Sequence, residues 1–359
     1  EYDGQRRIVR VGERDVNDPD APWKSATRTL YDKPYYVYGQ ENLRGRVASI
    51  IFEEEEGFSP DTYQMGTHYS YDVHGNVKTV IQAFAYYRNK KITKRIDYTY
   101  DLISGNVKEV AYQKGEVDQF FHRYYYDANS RLKDVETSTD GYHWSTEAKY
   151  FYYDHGPLAR VELGEHQVQG IDYAYTIHGW LKAINGTGSD DGDGKDGGID
   201  QYVAKDVFGL ELGYYQDDYQ PIVSNTLLSS TGLDYAENAS QPISSLYNGN
   251  IAFRLSELPA DGQEVMTSTY RYDPLNRLKS MESTINAQTF ATSNYVYDSG
   301  GNLLNLARAV YVDHYTSLRD FDDFEYAYRD GTNQLASLTD IQEYSLGSEF
   351  ASVDDTEDD

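Results

Sequence analysis

The feature that most constrains this chain is a phrase that recurs along it: Tyr-x-Tyr-Asp, a short turn, then Leu or Val followed in most copies by Lys. Clear copies are Tyr69-Ser70-Tyr71-Asp72 with Gly75-Asn76-Val77-Lys78, Tyr98-Thr99-Tyr100-Asp101 with Gly105-Asn106-Val107-Lys108, and Tyr124-Tyr125-Tyr126-Asp127 with Ser130-Arg131-Leu132-Lys133. Two more lie late, Tyr270-Arg271-Tyr272-Asp273 with Asn276-Arg277-Leu278-Lys279 and Tyr295-Val296-Tyr297-Asp298 with Gly301-Asn302-Leu303. Degenerate copies fall at Tyr36-Val37-Tyr38, Phe151-Tyr152-Tyr153-Asp154, Tyr173-Ala174-Tyr175 and Tyr326-Ala327-Tyr328. Neighbouring copies stand roughly 25 residues apart, a period typical of architectures whose units bury apolar surface only against one another.

Each copy reads as one β-hairpin. Tyrosines at i and i+2 share a face of a strand and can stack on neighbouring rungs. The aspartate ends the strand by accepting backbone N–H groups just ahead, and the Gly, Asn or Ser after it tolerates the positive φ of a tight turn. The repeat-defining residues are therefore Tyr69, Tyr71, Asp72, Gly75, Tyr98, Tyr100, Asp101, Gly105, Tyr124, Tyr126, Asp127, Tyr270, Tyr272, Asp273, Tyr295, Tyr297, Asp298 and Gly301. The predicted fold is all-β, a run of tandem antiparallel hairpins.

The returning strands carry apolar residues at i and i+3, as in Val77/Val80, Val107/Val110, Leu132/Val135, Leu278/Met281 and Leu335/Leu338. Strict alternation would place these on opposite faces. Either both faces are partly covered or a bulge shifts the register. The β-branched flanks and regular turn residues weigh against a helix.

Composition narrows the function. Tyrosine occurs 37 times against 12 Phe and 3 Trp, which suits a half-exposed pleated surface where rings pack and hydroxyls stay near water. A net charge of −27 argues against nucleic acid or an anionic membrane as partner. There is no cysteine, so neither disulfides nor thiolate metal sites are available. Apolar runs such as Val47-Ala48-Ser49-Ile50-Ile51-Phe52 fall far short of the roughly 20 residues that span a bilayer. The start at Glu1, with no leader pattern, is expected of a section of a longer polypeptide.

On these motifs the chain resembles the Rhs/YD-repeat proteins, a group including bacterial polymorphic toxins, the cocoon subunits of Tc toxins and animal teneurins. The phrases His178-Gly179-Trp180-Leu181-Lys182-Ala183-Ile184-Asn185, Asp206-Val207-Phe208-Gly209-Leu210-Glu211-Leu212-Gly213-Tyr214-Tyr215 and Leu246-Tyr247-Asn248-Gly249-Asn250-Ile251-Ala252 look like Rhs proteins of Bacteroidota. The resemblance implies a spiralling sheet wound into a hollow shell that often encloses a C-terminal toxin. Its Asp-Pro self-cleavage segment has no counterpart here, because Asp18-Pro19 lies early and Asp273-Pro274 is a repeat turn. A Bacteroidota origin further implies type IX secretion.

The repeats divide the chain into a lead-in (1–29), a repeat section (30–185), a non-repeat insertion (186–269), a second repeat section (270–340) and an acidic tail (341–359). The insertion holds a Gly/Asp-rich run with Asp190, Asp191, Asp193, Asp196 and Asp200. Those carboxylates are the candidates for calcium, the one cofactor left open, but Lys195 falls where an EF-type loop needs an acid, which favours a solvated loop. The run Glu53-Glu54-Glu55-Glu56 reads as a charged loop between strands. His74, His155 and His178 each precede a turn glycine, which turn chemistry explains better than catalysis. No zinc, nucleophile-elbow or phosphate-loop motif anchors an enzyme.

The expected function is a non-catalytic section of a secreted or cell-surface shell, partnered by the rest of its own polypeptide and an enclosed C-terminal cargo. Secretion machinery is a further expected partner. The alternative is a surface adhesin or glycan-binding scaffold, since tyrosine ladders can stack on sugar rings.

Overall fold

The structure, a computed structural model, describes residues 1–13, 23–35, 38–55, 63–87, 90–186, 203, 206–219, 245–257, 265–285, 288–311 and 318–341. It contains twenty-one strands, and no helix among the described residues. Two compact units divide the chain, Glu1–Lys149 and Tyr150–Asp359.

The first unit holds β1 (Arg10–Glu13), β2 (Lys24–Tyr31), β3 (Val47–Glu55), β4 (Met65–Tyr71), β5 (Val77–Tyr87), β6 (Lys90–Tyr100), β7 (Val107–Tyr112), β8 (Phe120–Tyr126), β9 (Leu132–Ser138) and the start of β10 (Ser145–Tyr152). Each strand pairs antiparallel with the next, so the ladder is a meander in chain order. The second unit continues with β11 (Leu158–Leu163), β12 (Gln169–Tyr175), β13 (Leu181–Ile184), β14 (Gly209–Gly213), β15 (Phe253–Glu257), β16 (Val265–Tyr272), β17 (Leu278–Ile285), β18 (Gln288–Tyr297), β19 (Leu303–Tyr311), β20 (Leu318–Tyr328) and β21 (Leu335–Asp340). From β11 to β21 the pairing is again sequential and antiparallel.

Side chains alternate by size as well as by polarity. In β4, Gly66, His68 and Ser70 are buried while Thr67, Tyr69 and Tyr71 are half-buried; in β12, Gly170, Asp172 and Ala174 alternate with Ile171, Tyr173 and Tyr175. One face is thus built of small or hydrogen-bonded groups, and the other carries the tyrosines, as a pleated strand with period two requires. Compact apolar clusters are correspondingly small. Ile51, Tyr63 and Ala83 form one in the first unit, with Leu30, Tyr35 and Tyr38 packed on it, and Ala252, Phe253 and Leu255 form one in the second.

Buried charge fills part of the rest. Glu53 is 5% exposed and lies 3.4 Å from Arg28 and 3.8 Å from Arg10. Arg160 pairs with Asp172, Lys182 with Asp218 at 2.7 Å, and Arg308 with Asp322. The placement of Glu53 corrects the sequence reading of residues 53–56 as a charged loop: Glu53, Glu54 and Glu55 belong to β3, and arginines from β1 and β2 neutralise Glu53.

Candidate functional site: the repeated hairpin end

The aspartate of each repeat organises its turn as a hub. Asp72 Oδ1 accepts the backbone N–H of His74 (2.9 Å), Gly75 (2.7 Å) and Asn76 (2.9 Å), and its Oδ2 accepts the Asn76 amide. Asp127 and Asp273 take the backbone N–H groups of Asn129 and Arg131, and of Leu275 and Arg277, and each pairs with that arginine's Nε. Asp101 and Asp298 accept from Ser104 and Asn302 in the same way. The N–H bonds hold these carboxyls below their ordinary pKa: Arg131 and Arg277 backbone donors are the main cause at Asp127 and Asp273, Ser104 at Asp101, and the Asn302 amide at Asp298. At Asp72 desolvation opposes the shift, and the Asn76, Gly75 and His74 donors together outweigh it.

The residue three or four after the aspartate has positive φ: 98° at Gly75, 73° at Gly105, 61° at Ser130 and Asn276, and 92° at Gly301. The N–H of Gly75, Ser130, Asn276 and Gly301 donates to the carbonyl of the aspartate three residues earlier, and that of Gly105 to Asp101 four residues earlier, so each short loop is closed by a residue with positive φ. His74, His155 and His178 all lie in such turns, followed by positive-φ Gly75, Gly156 and Gly179.

Where the strand returns, the register slips by one residue beside Tyr31, Tyr71, Tyr100, Tyr126, Tyr175, Tyr272, Tyr297 and Tyr328. Tyr71 faces Val77 and Ser70 faces Thr79, so Lys78 is the extra residue of a β-bulge. Tyr69 then faces Val80, which returns Val77 and Val80 to one face. The i, i+3 pattern is therefore the trace of a bulge repeated at these eight hairpin ends, and the lysine that follows the apolar residue in most repeats occupies it.

A second device joins six of the hairpins to the one before. The hydroxyl of Tyr71 donates to the Val47 carbonyl at 2.8 Å, Tyr100 to Val77 at 2.7 Å and Tyr126 to Val107 at 2.9 Å. In the second unit Tyr214 donates to Leu181 at 2.8 Å, Tyr272 to Ile251 at 3.0 Å and Tyr328 to Leu303 at 2.9 Å. The frame is constant. The last backbone pairs between those strands are Ser49/His68, Thr79/Asp97, Glu109/Arg123, Ala183/Glu211, Phe253/Thr269 and Asn305/Glu325. The accepting carbonyl always sits two residues before that pair, and the tyrosine three after it. The carbonyl has run past the end of the ladder, and a phenol supplies the donor that the departing strand no longer provides. Burial raises the pKa of Tyr71, Tyr100, Tyr126, Tyr214 and Tyr272. At Tyr297 an arginine takes part instead: the Arg277 guanidinium lies 4.6 Å from the ring centroid, and its Nη1 donates to the Asp298 carbonyl at 2.9 Å.

The structure adds hairpin ends that the sequence pattern did not reveal. Tyr31-Asp32 is one, because Tyr31 faces Val47 across the bulge and Asp32 accepts the Gly45 N–H. Tyr38, read as part of a degenerate copy, lies outside the strands and packs with Tyr35 and Tyr63 around His68; Tyr36 and Val37 lie outside the described residues. A further end lies within 186–269. Strands β14 and β15 pair as a hairpin, Asn248 Oδ1 accepts the Asn250 N–H as the repeat aspartates do, and Ile251 offers the clasped carbonyl. The calcium candidates Asp190, Asp191, Asp193, Asp196 and Asp200 lie outside the described residues.

His68 is 1% exposed, with Nδ1 2.8 Å from Ser49 Oγ and Nε2 2.8 Å from Tyr63 Oη. Ser49 is fully buried, so this Ser–His contact offers no reacting group to a substrate. It fixes the loop that carries Tyr35 and Tyr38 over β4. Among the described residues no group of three or more His, Asp or Glu is arranged to hold a metal ion.

No family model matches the chain, and no curated protein matches it. Solved structures do. A chain of the Photorhabdus luminescens Tc holotoxin pore superposes with a TM-score of 0.53 at 14% identity, over 89% of this chain and 15% of the toxin chain. TcdB2-TccC3 covers 91% of this chain and 18% of its own at 13% identity, with a TM-score of 0.44, and a porin-like protein from Bacteroides uniformis gives a TM-score of 0.25 at 11% identity, over 77% of this chain and 89% of its own. The latter two scores are too low to bear on the fold. This chain therefore spans less than a fifth of the toxin chains it is similar to, and what it shares with the holotoxin chain is an all-β fold, in agreement with the Rhs-type architecture implied by its repeats.

Proposed function

We propose that this chain is a non-catalytic wall section of a secreted or cell-surface Rhs-type shell that encloses or presents a cargo polypeptide. The observation that carries this reading is the tyrosine clasp. Six hairpins bind the end of the preceding one in this way, so within each unit stability accrues between neighbours, as in quasi-one-dimensional repeat proteins, and the sheet can be lengthened hairpin by hairpin. Such a ribbon suits a container wall. The fold shared with part of a toxin chain supports the same reading. Its partners on this view are the remainder of its own polypeptide and the cargo.

A glycan-binding role spread over all the repeats is less well supported, because the second tyrosine of the clasped repeats spends its hydroxyl on a carbonyl of its own chain. The shell reading is tested by limited proteolysis of the intact polypeptide that contains this chain. The enclosed segment is expected to resist cleavage until the hairpins unfold. Cleavage as fast as that of the isolated segment, or protection that survives deletion of β16 and β17, would overturn it.

A further inference from the structure

In the second unit, the turn between β16 and β17 and the turn that precedes β15 face one another across a polar cleft of about 360 Å³. Asn276 is one of the residues that line it. Its φ of 61° is the positive-φ position that Gly75 and Gly301 fill elsewhere, so the turn itself does not require an amide there. Asn276 Oδ1 accepts Asn248 Nδ2 at 2.8 Å and Asn250 Nδ2 at 3.3 Å. That arrangement fixes three amides with one oxygen. The Asn276 Nδ2 hydrogens and the Asn250 Oδ1 lone pairs remain as a donor and an acceptor.

Lys279, the bulge lysine of this repeat, lines the same cleft. Three of its equivalents have an acidic partner, Lys78 in Glu41 at 2.8 Å, Lys133 in Asp134 at 3.7 Å and Lys182 in Asp218 at 2.7 Å. Lys279 is exposed and has no ion pair among the described residues. The half-buried ring of Tyr270 forms a further wall. An aromatic face, fixed amide donor and acceptor groups and an unpaired ammonium, in a cleft near the lower end of the ~300–1,000 Å³ range for ligand sites, match one ligand class. The C–H face of a sugar ring packs on an aromatic, its hydroxyls pair with amides, and a carboxylate seeks the ammonium.

We propose that this cleft binds a saccharide bearing a carboxylate, a uronic acid residue or its short oligomer. The site is independent of the shell reading, since either can hold without the other.

The test is calorimetric titration of the full chain with a uronic-acid disaccharide and with its neutral counterpart. Saturable binding of the acidic sugar is expected, with the neutral sugar weaker by about tenfold. Asn276→Gly keeps the positive φ while removing the amide, and is expected to weaken both ligands about tenfold. Lys279→Ala is expected to abolish the preference for the acidic sugar without affecting the neutral one, and Lys108→Ala at the equivalent bulge to leave both unchanged. Thermal midpoints of the variants establish that each is folded. Absence of saturable binding by the unaltered chain, full affinity in folded Asn276→Gly and Lys279→Ala, or binding of an acidic peptide but not of the sugar would overturn the proposal.

Discussion

Replacing Tyr71, Tyr100 and Tyr126 together by Phe removes three inter-hairpin clasps and leaves every ring in place. Each lost bond, at 2.7–2.9 Å, strands a carbonyl two residues beyond its ladder. A net hydrogen bond contributes about 1 kcal/mol, and the half-buried setting lets water replace part of the loss, so each site should cost about 1 kcal/mol. The sites lie on separate hairpins, so the triple variant should lose about 3 kcal/mol. Native-state hydrogen exchange is the assay, because it reads opening free energy strand by strand. With Tyr100→Phe alone, amides of β5 to β7 should exchange about fivefold faster, while those of β16 to β19 keep their rates. Tyr98 supplies the control. It shares the strand face of Tyr100 but makes no clasp among the described residues, so Tyr98→Phe should stay within about 0.5 kcal/mol of the unaltered chain. Equal effects of Tyr98→Phe and Tyr100→Phe, or a triple variant as stable as the parent, would refute the clasp.

Deletion of Lys108 removes only the extra residue of the bulge, so Tyr100 should still face Val107 and Tyr98 still face Val110, and exchange protection of β6 and β7 should persist; protection lost from those two strands would mean that Lys108 is not the unpaired residue. Asp172→Ala should destabilise the second unit by about 1–3 kcal/mol, because Arg160, with a side chain 6% exposed, loses one of its two acidic partners and keeps Glu162 at 3.2 Å, and urea denaturation measures the loss. Stability should also fall at both ends of the pH scale. The turn aspartates have folded pKa values below the free value of 3.8, so their contribution is complete above that pH and is lost as pH falls through the folded values. Tyr71, Tyr100, Tyr126, Tyr214 and Tyr272 have folded values above 10.0, so nothing is lost below pH 10, and stability declines above it as the unfolded phenols ionise first. Thermal midpoints measured across pH check both, and a midpoint flat from pH 8 to about 11.5 would contradict the tyrosine part.

Much of the hairpin end was legible because its chemistry is local. Asp72 and Gly75 lie within one turn, and Val77 and Val80 within one strand, so their spacing records the turn and restricts the register to a bulge or a two-sided sheet. The clasp was not legible. It links Tyr100 to a carbonyl on a different hairpin, and a carbonyl has no residue type to mark it. Non-local partners hid other features as well: the cation that neutralises Glu53 comes from β1 and β2, and the aromatic cover of His68 comes from the loop after β2. The hairpin end at Asn248 was not legible because Asn replaces Asp and residues 215–247 separate it from Tyr214. The cleft at Asn276 depends on two turns meeting in space, although Asn276 itself stands out where most other repeats have Gly.

The shell reading faces its most direct test in a cryo-electron-microscopy map of the intact polypeptide. The expected result is that residues 30–340 form a continuous run of clasped hairpins in the wall of a cavity that holds density for a separate segment of the chain. A map in which these hairpins pack into a solid body, with solvent on all sides and no enclosed polypeptide, would contradict it.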